Sequence, residues 1–243
     1  MTVLWCFNSK KLHPSKFSIR LPFPLLSDLM SRMNRTFFIT GTDTGVGKTV
    51  FTVSLLASLR RKGVNAAALK PICSGGRDDA QKILAVSDCV LSLDEINPWH
   101  FRAAIAPTLA ARQEKKKVTL AQATAHIRAM QKRFYVLLVE GAGGLLSPLG
   151  EKFNSRDLIK AIRATPVIVA PNRLGVVNQV LLTLEALPKF LQSKARVVLM
   201  PTPKPDGSTK SNAHLLAEFF DAKRILIVSS SGHVSIRALT EKM

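Results

Sequence analysis

A glycine-rich loop between a short apolar strand and a helix constrains this chain more than any other feature. Residues 36–40 are apolar or β-favouring, and the loop that follows reads Gly41-Thr-Asp-Thr-Gly-Val-Gly-Lys-Thr49. Apolar residues then recur at helical spacing from residue 50 to residue 62, with basic residues in the last turn and Gly63 beyond it. This order is typical of a phosphate-binding loop, in which backbone N–H groups and a helix N-terminus bind phosphate oxygens.

Two side chains at the end of the loop carry its predicted chemistry. Lys48 would reach the terminal phosphates of a nucleotide, and the Thr49 hydroxyl would bind Mg²⁺. Five residues separate Gly41 from Gly47, where the common pattern has four. A glycine-rich turn with a chance Lys-Thr pair is the alternative, and we disfavour it because the strand, loop and helix signals agree.

Short apolar runs alternate with helical patterns after residue 33. The predicted strands are 36–40, 65–70, 135–139, 166–170, 196–200 and 225–229, and the predicted helices are 48–62, 78–87, 103–113, 119–132, 155–164, 176–192 and 211–220. Continuous apolar strands between helices indicate a parallel sheet that is covered on both faces. We therefore predict a three-layer α/β fold, a mostly parallel sheet flanked by helices and similar to P-loop NTPases.

Domain organisation follows from a change in composition near residue 33. Residues 1–32 carry five Lys or Arg and one acidic residue. We expect an N-terminal extension there, either without ordered structure or produced by an upstream translation start, with a transit peptide as the alternative. Since no linker divides residues 33–243, we predict one P-loop ligase domain over that range.

The net charge of +19 and the isoelectric point near 10.4 favour anionic partners. The basic residues are scattered rather than gathered among aromatic residues, and the densest run is 115–117. We interpret the charge as a solvated surface that attracts anionic ligands, and we expect no nucleic-acid partner.

Cellular location is predicted from cysteines and hydropathy. The three cysteines, Cys6, Cys73 and Cys89, lack metal-ligand spacing and fit a reducing cytoplasm. No run of eighteen apolar residues is present, so we expect no membrane partner.

Polar residues at the predicted strand ends should meet in one cleft, because open α/β sheets bind ligands at the carboxyl ends of their strands. Glu140 is followed by a glycine-rich turn, and Asp79 lies in the first turn of a helix. Both are candidate Mg²⁺ ligands, against the alternatives of a solvated loop acid and a helix cap. Lys70 would be a second cation on a transferring phosphoryl group, and Ser74 would donate to an anionic substrate group.

Taken in order, these motifs resemble the dethiobiotin synthetase family. The matching pieces are Thr40-Gly-Thr-Asp-Thr-Gly-Val-Gly-Lys-Thr49, Lys70-Pro71 with Ser74-Gly75, Asp79, Asn97-Pro98, Val139-Glu-Gly-Ala-Gly-Gly144, and Leu174-Gly175 with Asn178. The five-residue loop spacing is the family's own form. The glycine-rich piece after residue 139 is shared with cobyrinate amidases and related amidoligases, whose additional glutaminase domain does not fit in 243 residues.

The resemblance implies a reaction, its cofactors and its partners. The amine of 7,8-diaminononanoate takes up CO₂ as a carbamate, which attacks the γ-phosphate of ATP to give a carbamic–phosphoric anhydride. The second amine then closes the ring of dethiobiotin and releases phosphate and ADP. Mg²⁺ is the implied cofactor, ATP is the co-substrate, and the enzyme is a homodimer with substrate at the subunit interface.

The resemblance also implies roles for individual residues. Lys48 and Lys70 would stabilise the carbamate and the transferring phosphoryl group, and the metal ligands would be Thr49, Asp79 and Glu140. The implied substrate contacts are Ser74, Thr44, Gly175, Val176 and Asn178. The implied nucleotide contacts are Thr44, Gly45, Val46, Gly47, Lys48, Thr49, Val50, Asp79, Glu140, Gly141, Ala142 and Gly143.

The chain departs from the family pattern after residue 199. The family's Asn-Asp pair, whose asparagine reads adenine, is replaced by Met200-Pro201-Thr202, so the base preference stays open. A partitioning-type P-loop ATPase switch and an amidoligase-like enzyme are the alternative functions. The switch proteins normally carry an additional lysine early in the loop, where this chain reads Thr42-Asp43-Thr44.

Overall fold

A computed structural model describes residues 35–229 and 234–235 of the chain. Its strands are β1 (Arg35–Gly41), β2 (Ala66–Leu69), β3 (Ile72–Ser74), β4 (Trp99–Phe101), β5 (Val136–Gly144), β6 (Pro148–Gly150), β7 (Phe153–Asn154), β8 (Thr165–Pro171), β9 (Arg196–Met200), β10 (Ile225–Val228) and β11 (Val234–Ser235). Its α-helices are α1 (Lys48–Arg61), α2 (Asp78–Leu84), α3 (Leu93–Ile96), α4 (Pro107–Gln113), α5 (Leu120–Gln131), α6 (Ser155–Ile162), α7 (Val176–Glu185), α8 (Lys189–Gln192) and α9 (Asn212–Ala217).

Seven strands form the central sheet, in the order β11-β10-β9-β8-β1-β5-β2. All neighbours pair in parallel except β10 and β11. Strand β1 lies between β5 and β8, with Phe38 opposite Val139 on one side and Pro166 on the other. The glycine-rich loop after β1 therefore lies near the middle of the sheet, beside the ends of β5 and β8.

The central strands are apolar and buried along most of their length. Phe37–Ile39 of β1, Leu137–Val139 of β5 and Val167–Ala170 of β8 are all 5% exposed or less. Strands that are buried on both faces read as continuous apolar runs, because helices cover both sides of a parallel sheet. The predicted α/β fold, a mostly parallel sheet flanked by helices, is confirmed.

Side-chain caps fix several helix starts that the sequence indicated. Thr119 accepts a hydrogen bond from the Gln122 backbone at the start of α5, and Gln122 bonds back to Thr119, which forms a capping box. Asn154 and Asp157 form the same motif at the start of α6.

Several predicted boundaries were wrong for identifiable reasons. The predicted helix 176–192 is two helices, α7 and α8, because Pro188 lacks the N–H that a helix interior requires. The predicted helix 103–113 begins only at Pro107, a residue that suits the first helical position. The strand predicted to end at Val139 continues to Gly144, and Glu140 and Gly144 pair with β1 on either side of an irregularity in the register. Two small sheets, β3 with β4 and β6 with β7, were not predicted.

The described residues leave some expectations outside their range. The proposed extension 1–32 lies outside them. Among the helices that the structure describes, none combines the length and the apolar character that crossing a membrane requires.

Candidate active site

The loop between β1 and α1 adopts a conformation that depends on its glycines. Gly45 and Gly47 have φ angles of 74° and 98°, in the left-handed region that side chains disfavour. Gly47 lies directly before α1, and a Cβ added there would be 3.3 Å from the Met200 side chain. A Cβ on Gly41 would lie 2.7 Å from Cγ2 of Val46, which is buried beneath the loop. A side chain is therefore disfavoured by close neighbours at Gly41 and Gly47, and by the φ angle alone at Gly45.

Lys48 is buried at the first position of α1. Its side chain is held back along the loop, since Nζ donates a 2.7 Å hydrogen bond to the Asp43 carbonyl. Burial, together with the nearby charge of Lys70, lowers the pKa of Lys48 to about 8, although Glu140 and Asp79 oppose the shift. An anionic ligand would place additional negative charge beside this ammonium group.

Lys70 follows β2 and lies at the centre of a buried cluster of charges. Its Nζ is 2.7 Å from Glu140 Oε1 and 3.0 Å from Asp79 Oδ2, and it donates a 3.2 Å hydrogen bond to the Gly141 carbonyl. Burial alone would lower the pKa of Lys70, but the two carboxylates outweigh it and raise the pKa. Lys70 therefore stays protonated at neutral pH and acts as a fixed positive charge.

Asp79 and Thr49 complete the polar group around Lys70. Burial would raise the pKa of Asp79, but the charge and hydrogen bond of Lys70 outweigh it and lower the pKa, so the group is a carboxylate. The Thr49 hydroxyl donates a 2.7 Å hydrogen bond to Glu140 Oε1. Three oxygen-bearing side chains thus lie next to the phosphate loop.

Glu140 has one carboxylate oxygen without a protein partner. Oε1 accepts from Lys70 and Thr49, whereas Oε2 is buried and has no hydrogen bond among the described residues. An orphaned buried carboxylate oxygen costs free energy unless a cation or donor meets it. The Glu140 carboxylate, the Thr49 hydroxyl and Asp79 together form a set of oxygen donors. Mg²⁺ prefers such a set, in which one or two carboxylates bind it beside phosphate oxygens. Within the described chain, no cluster of three His, Cys, Asp or Glu residues offers a protein-only metal site.

One cleft of about 780 Å³ brings most of the predicted site residues together. The predicted residues that line it are Thr44, Gly45, Gly47, Lys48, Thr49, Val50, Lys70, Ser74, Asp79, Glu140, Ala142 and Gly143. Five predicted residues do not line it: Val46, Gly141, Gly175, Val176 and Asn178. Val46 is buried beneath the loop, and the Gly141 carbonyl accepts the hydrogen bond from Lys70. The other three lie at the start of α7, where Val176 is buried and Asn178 is exposed.

Ser74 reaches the cleft but already has a partner. Its hydroxyl donates to the Ile105 carbonyl, on the segment before α4 that forms the far wall of the cleft. The predicted donation to substrate would require this hydroxyl to rotate, and it stays a prediction.

The carboxyl ends of β8 and β9, on the other side of the loop, offer few groups that could form hydrogen bonds with a nucleotide base. Met200 is 5% exposed, and Pro201 after it has no N–H. The Asn172 side chain donates to the Thr209 carbonyl at 3.0 Å and accepts from Asn212 at 2.9 Å. The side-chain amides of Asn172 and Asn212 therefore form hydrogen bonds within the protein.

Sequence reasoning missed residues that shape the cleft without a motif of their own. Lys82 and Ser147 line it, and the Ser147 hydroxyl accepts a 2.9 Å hydrogen bond from the Gly144 backbone. Arg77 and Asn97 form hydrogen bonds behind Lys70. The sequence analysis named Asn97 only as part of the family resemblance. The other three residues are isolated in the sequence, so no periodicity or spacing pointed to them.

Comparison with known proteins decides which family contains this site. A family model described as an AAA domain matches residues 35–236. The ATP-dependent dethiobiotin synthetase BioD of Anaeromyxobacter sp. (strain K) is 38% identical over 209 residues, which cover 84% of this chain and 94% of that protein. The chain belongs to the dethiobiotin synthetase family. The predicted family is thereby confirmed.

Dethiobiotin synthetases from distant organisms match at similar levels. The protein of that name from Bacillus velezensis is 40% identical over 156 residues, covering 62% of this chain and 67% of that protein. The one from Methanococcus vannielii is 34% identical over 162 residues, covering 67% and 75%. A solved ParA family ATPase from Chlorobium tepidum TLS covers 76% of this chain and 81% of that one with a TM-score of 0.48 and 13% identity, a likeness too low to support an argument.

Proposed function

We propose that this chain is an ATP-dependent ligase that carboxylates 7,8-diaminononanoate with CO₂ and closes the ring of dethiobiotin. Membership of the dethiobiotin synthetase family supports the reaction class. The observation that carries the proposal is the cluster of Lys70, Glu140 and Asp79, which lies in the same cleft as Lys48 and Thr49. The cluster combines fixed positive charge with carboxylate oxygens at the place where a nucleotide would end.

The phosphate loop would hold the nucleotide through its backbone. Gly45 and Gly47 leave the N–H groups at the start of α1 unobstructed, and this helix end carries partial positive charge. Lys48 would exchange the Asp43 carbonyl for phosphate oxygens, a change that its buried position favours.

The residues present fit a magnesium ion, which would be held by the Thr49 hydroxyl, Asp79 and the orphaned oxygen of Glu140. When bound, Mg²⁺ supplies positive charge to phosphate oxygens. The protein's own part is to keep the two carboxylates oriented. Lys70 does so by contacting both of them.

Lys70 and Lys48 would act on the group that is transferred. A carbamate oxygen on the substrate attacks the γ-phosphate of ATP, the bond from that phosphorus to ADP breaks, and a carbamic–phosphoric anhydride results. The second amine attacks the carbonyl carbon and expels phosphate. Negative charge shifts between oxygens in both steps, and two buried cations stabilise such a change more than water does.

The substrate would lie between the loop and the wall formed by residues 104–107, beside Ser74. Gly175 and Asn178 were expected to contact its carboxylate, yet they do not line this cleft within one chain. Their role therefore requires a second copy, and we propose a homodimer that places α7 of one chain beside the cleft of the other. Leu174 and Leu182 support it, since they are 78% and 63% exposed on this part of the surface.

A partitioning-type ATPase switch is the alternative from another functional class. It would bind the same nucleotide in the same loop, but no lysine is present at residues 42–44 to act as its additional cation. An amidoligase-like enzyme would use an ammonia donor instead of the second amine of the substrate.

Product formation is the test of the proposal. The protein is incubated with 7,8-diaminononanoate, bicarbonate, Mg²⁺ and ATP, and dethiobiotin is measured by mass spectrometry with phosphate release in parallel. We expect one phosphate for each dethiobiotin. ATP hydrolysis at a rate independent of the diamine would support the switch instead. An amide that forms in place of dethiobiotin, and only with added ammonia, would support the amidoligase.

A further inference from the structure

The backbone of Lys70 is held on both sides by one short segment. Its N–H donates a 3.0 Å hydrogen bond to the Ile96 carbonyl, and its carbonyl accepts a 2.6 Å hydrogen bond from Asn97 Nδ2. Lys70 lies between β2 and β3, so neither strand's ladder fixes it there. The position of the lysine therefore depends on the segment that ends at Asn97.

Asn97 is in turn held by Arg77. The Asn97 side chain is completely buried, and its Oδ1 accepts from Arg77 Nε at 3.2 Å and from the Cys73 thiol at 3.2 Å. Arg77 Nη2 donates to the Asn97 carbonyl at 3.0 Å and to the Leu93 carbonyl at 2.8 Å. One guanidinium group thus joins the side chain and the backbone of this segment.

Arg77 also marks the start of the helix that carries Asp79. It is the residue before α2, its carbonyl accepts the first helical hydrogen bond from Gln81, and Asp79 follows two residues later. The side chain of Arg77 therefore fixes the beginning of α2 against the same segment that holds Lys70.

We propose that Arg77 is a positioning residue that acts through Asn97, holding Lys70 and Asp79 in the arrangement in which Lys70 contacts both Asp79 and Glu140. This inference rests on the proposed function, because it assigns Arg77 an effect on turnover. Lys70 and Asp79 line the cleft whereas Arg77 does not, so Arg77 would act on the reaction only through these two residues.

The contacts explain why a different residue would not serve at position 77. A guanidinium donates from several nitrogens in a fixed plane, whereas an ammonium is a single point of charge. Without Arg77, the buried Oδ1 of Asn97 keeps only the weak thiol donor of Cys73. The amide could then turn over and release the Lys70 carbonyl. A displacement of about 1 Å at a reacting group can cost roughly a hundredfold in rate.

The test compares Arg77→Met with Asp94→Asn as a matched control. Asp94 is the exposed partner of Arg77, and its loss leaves the buried hydrogen bonds in place. We expect Arg77→Met to lower kcat by about ten- to a hundredfold with little change in KM for ATP. Asp94→Asn should keep kcat within about twofold of the parent, since exposed ion pairs contribute little. Equal losses in both variants, or a normal kcat in Arg77→Met, would overturn the inference.

A split between kcat and KM separates positioning from a general loss of structure. A positioning effect lowers kcat at saturating ATP in a variant whose circular dichroism spectrum and KM for ATP match those of the parent. A loss of kcat that only matches the loss of folded protein would indicate ordinary destabilisation and would contradict the proposal. Should Arg77→Met fail to fold, Arg77→Lys provides the same comparison with the charge retained.

A double-mutant cycle completes the test. If Arg77 acts by placing Asp79, combining Arg77→Met with Asp79→Asn should cost clearly less than the product of the two single losses. A fully multiplicative effect would overturn the proposal. A wild-type protein that forms no dethiobiotin would refute the proposed function instead. The comparison then uses Mg²⁺-dependent ATP hydrolysis, whose kcat Arg77→Met should lower and Asp94→Asn should not, and equal rates would overturn the positioning role.

Discussion

Raising the pH from 7 to 9 should weaken ATP binding through Lys48. The ammonium group is buried beside the loop, and its pKa is lowered to about 8. Phosphate binding favours the charged form of Lys48. At a pH below this pKa the lysine is already charged, whereas at a higher pH it must take up a proton before it can bind phosphate. The affinity is therefore fully present below pH 8 and is lost as the pH rises through that value.

The size of the effect follows from linkage. With a pKa of about 8 in the free protein, about nine-tenths of Lys48 is charged at pH 7 and about one-tenth at pH 9. If only the charged form binds, the dissociation constant for ATP rises about tenfold between these values, equivalent to about 1.4 kcal/mol. Lys70 adds nothing to this step, because its raised pKa keeps it charged throughout.

Equilibrium titration with Mg²⁺ and ATP between pH 6.5 and pH 9.5 measures this step. Lys48→Arg is the matched control, since its guanidinium stays charged over the whole range. The control should show a flat affinity up to pH 9, even if it binds more weakly. A flat profile in the wild-type protein, or the same step in Lys48→Arg, would refute the assignment to Lys48.

Four further outcomes are expected. Lys70→Ala should lose about a hundredfold or more in turnover while circular dichroism shows a retained fold, and a near-normal rate would remove Lys70 from the site. Gly47→Ala should lower the free energy of unfolding by about 1–2 kcal/mol, because Gly47 has a positive φ. Gly207→Ala should be nearly neutral in thermal unfolding, because a Cβ at that position meets no atom within 4 Å. Equal melting temperatures of the two variants would be evidence against backbone strain in the loop. Since Met200 offers a base no hydrogen-bonding amide, ATP, GTP and CTP should differ by no more than about two hundredfold in kcat/KM, the range of apolar discrimination, and a competition assay with a 10⁴-fold preference would contradict this. Deleting residues 1–32 should leave dethiobiotin formation unchanged, and an inactive or insoluble truncation would show that the segment belongs to the domain.

The sheet and the charged cluster were largely predictable because their signals are local. Apolar runs marked six strands of the central sheet, and the carboxyl ends of parallel strands necessarily lie along one edge. That rule was enough to place Lys70 and Glu140 in one cleft, although seventy positions separate them. Val46 was named for the nucleotide through its backbone amide, which stays a prediction. The burial of its side chain under the loop was not predicted, since a sequence motif does not say which way each residue points.

The hydrogen bonds behind the cleft could not be predicted. Asn97 and Arg77 meet only because the segment before β4 folds against the end of β2, and no spacing in the sequence encodes that approach. The separate pairing of β3 with β4 has the same origin, since three-residue strands give too short a pattern to recognise. The proposed substrate contacts at the start of α7 stay a prediction for a different reason. They would form with the cleft of a second copy, and a single chain does not show that surface.

The insertion of β5 between β1 and β2 has a consequence for the order of events during synthesis. The ribosome completes the phosphate loop and Lys70 well before it reaches residue 136, yet β1 and β2 share no pairing until β5 arrives between them. Glu140 then supplies the carboxylate that both Thr49 and Lys70 contact. A nascent chain that stops before this strand holds the loop motif without the sheet that supports it. Nucleotide capture by the growing polypeptide should therefore begin only after residue 144 has left the exit tunnel.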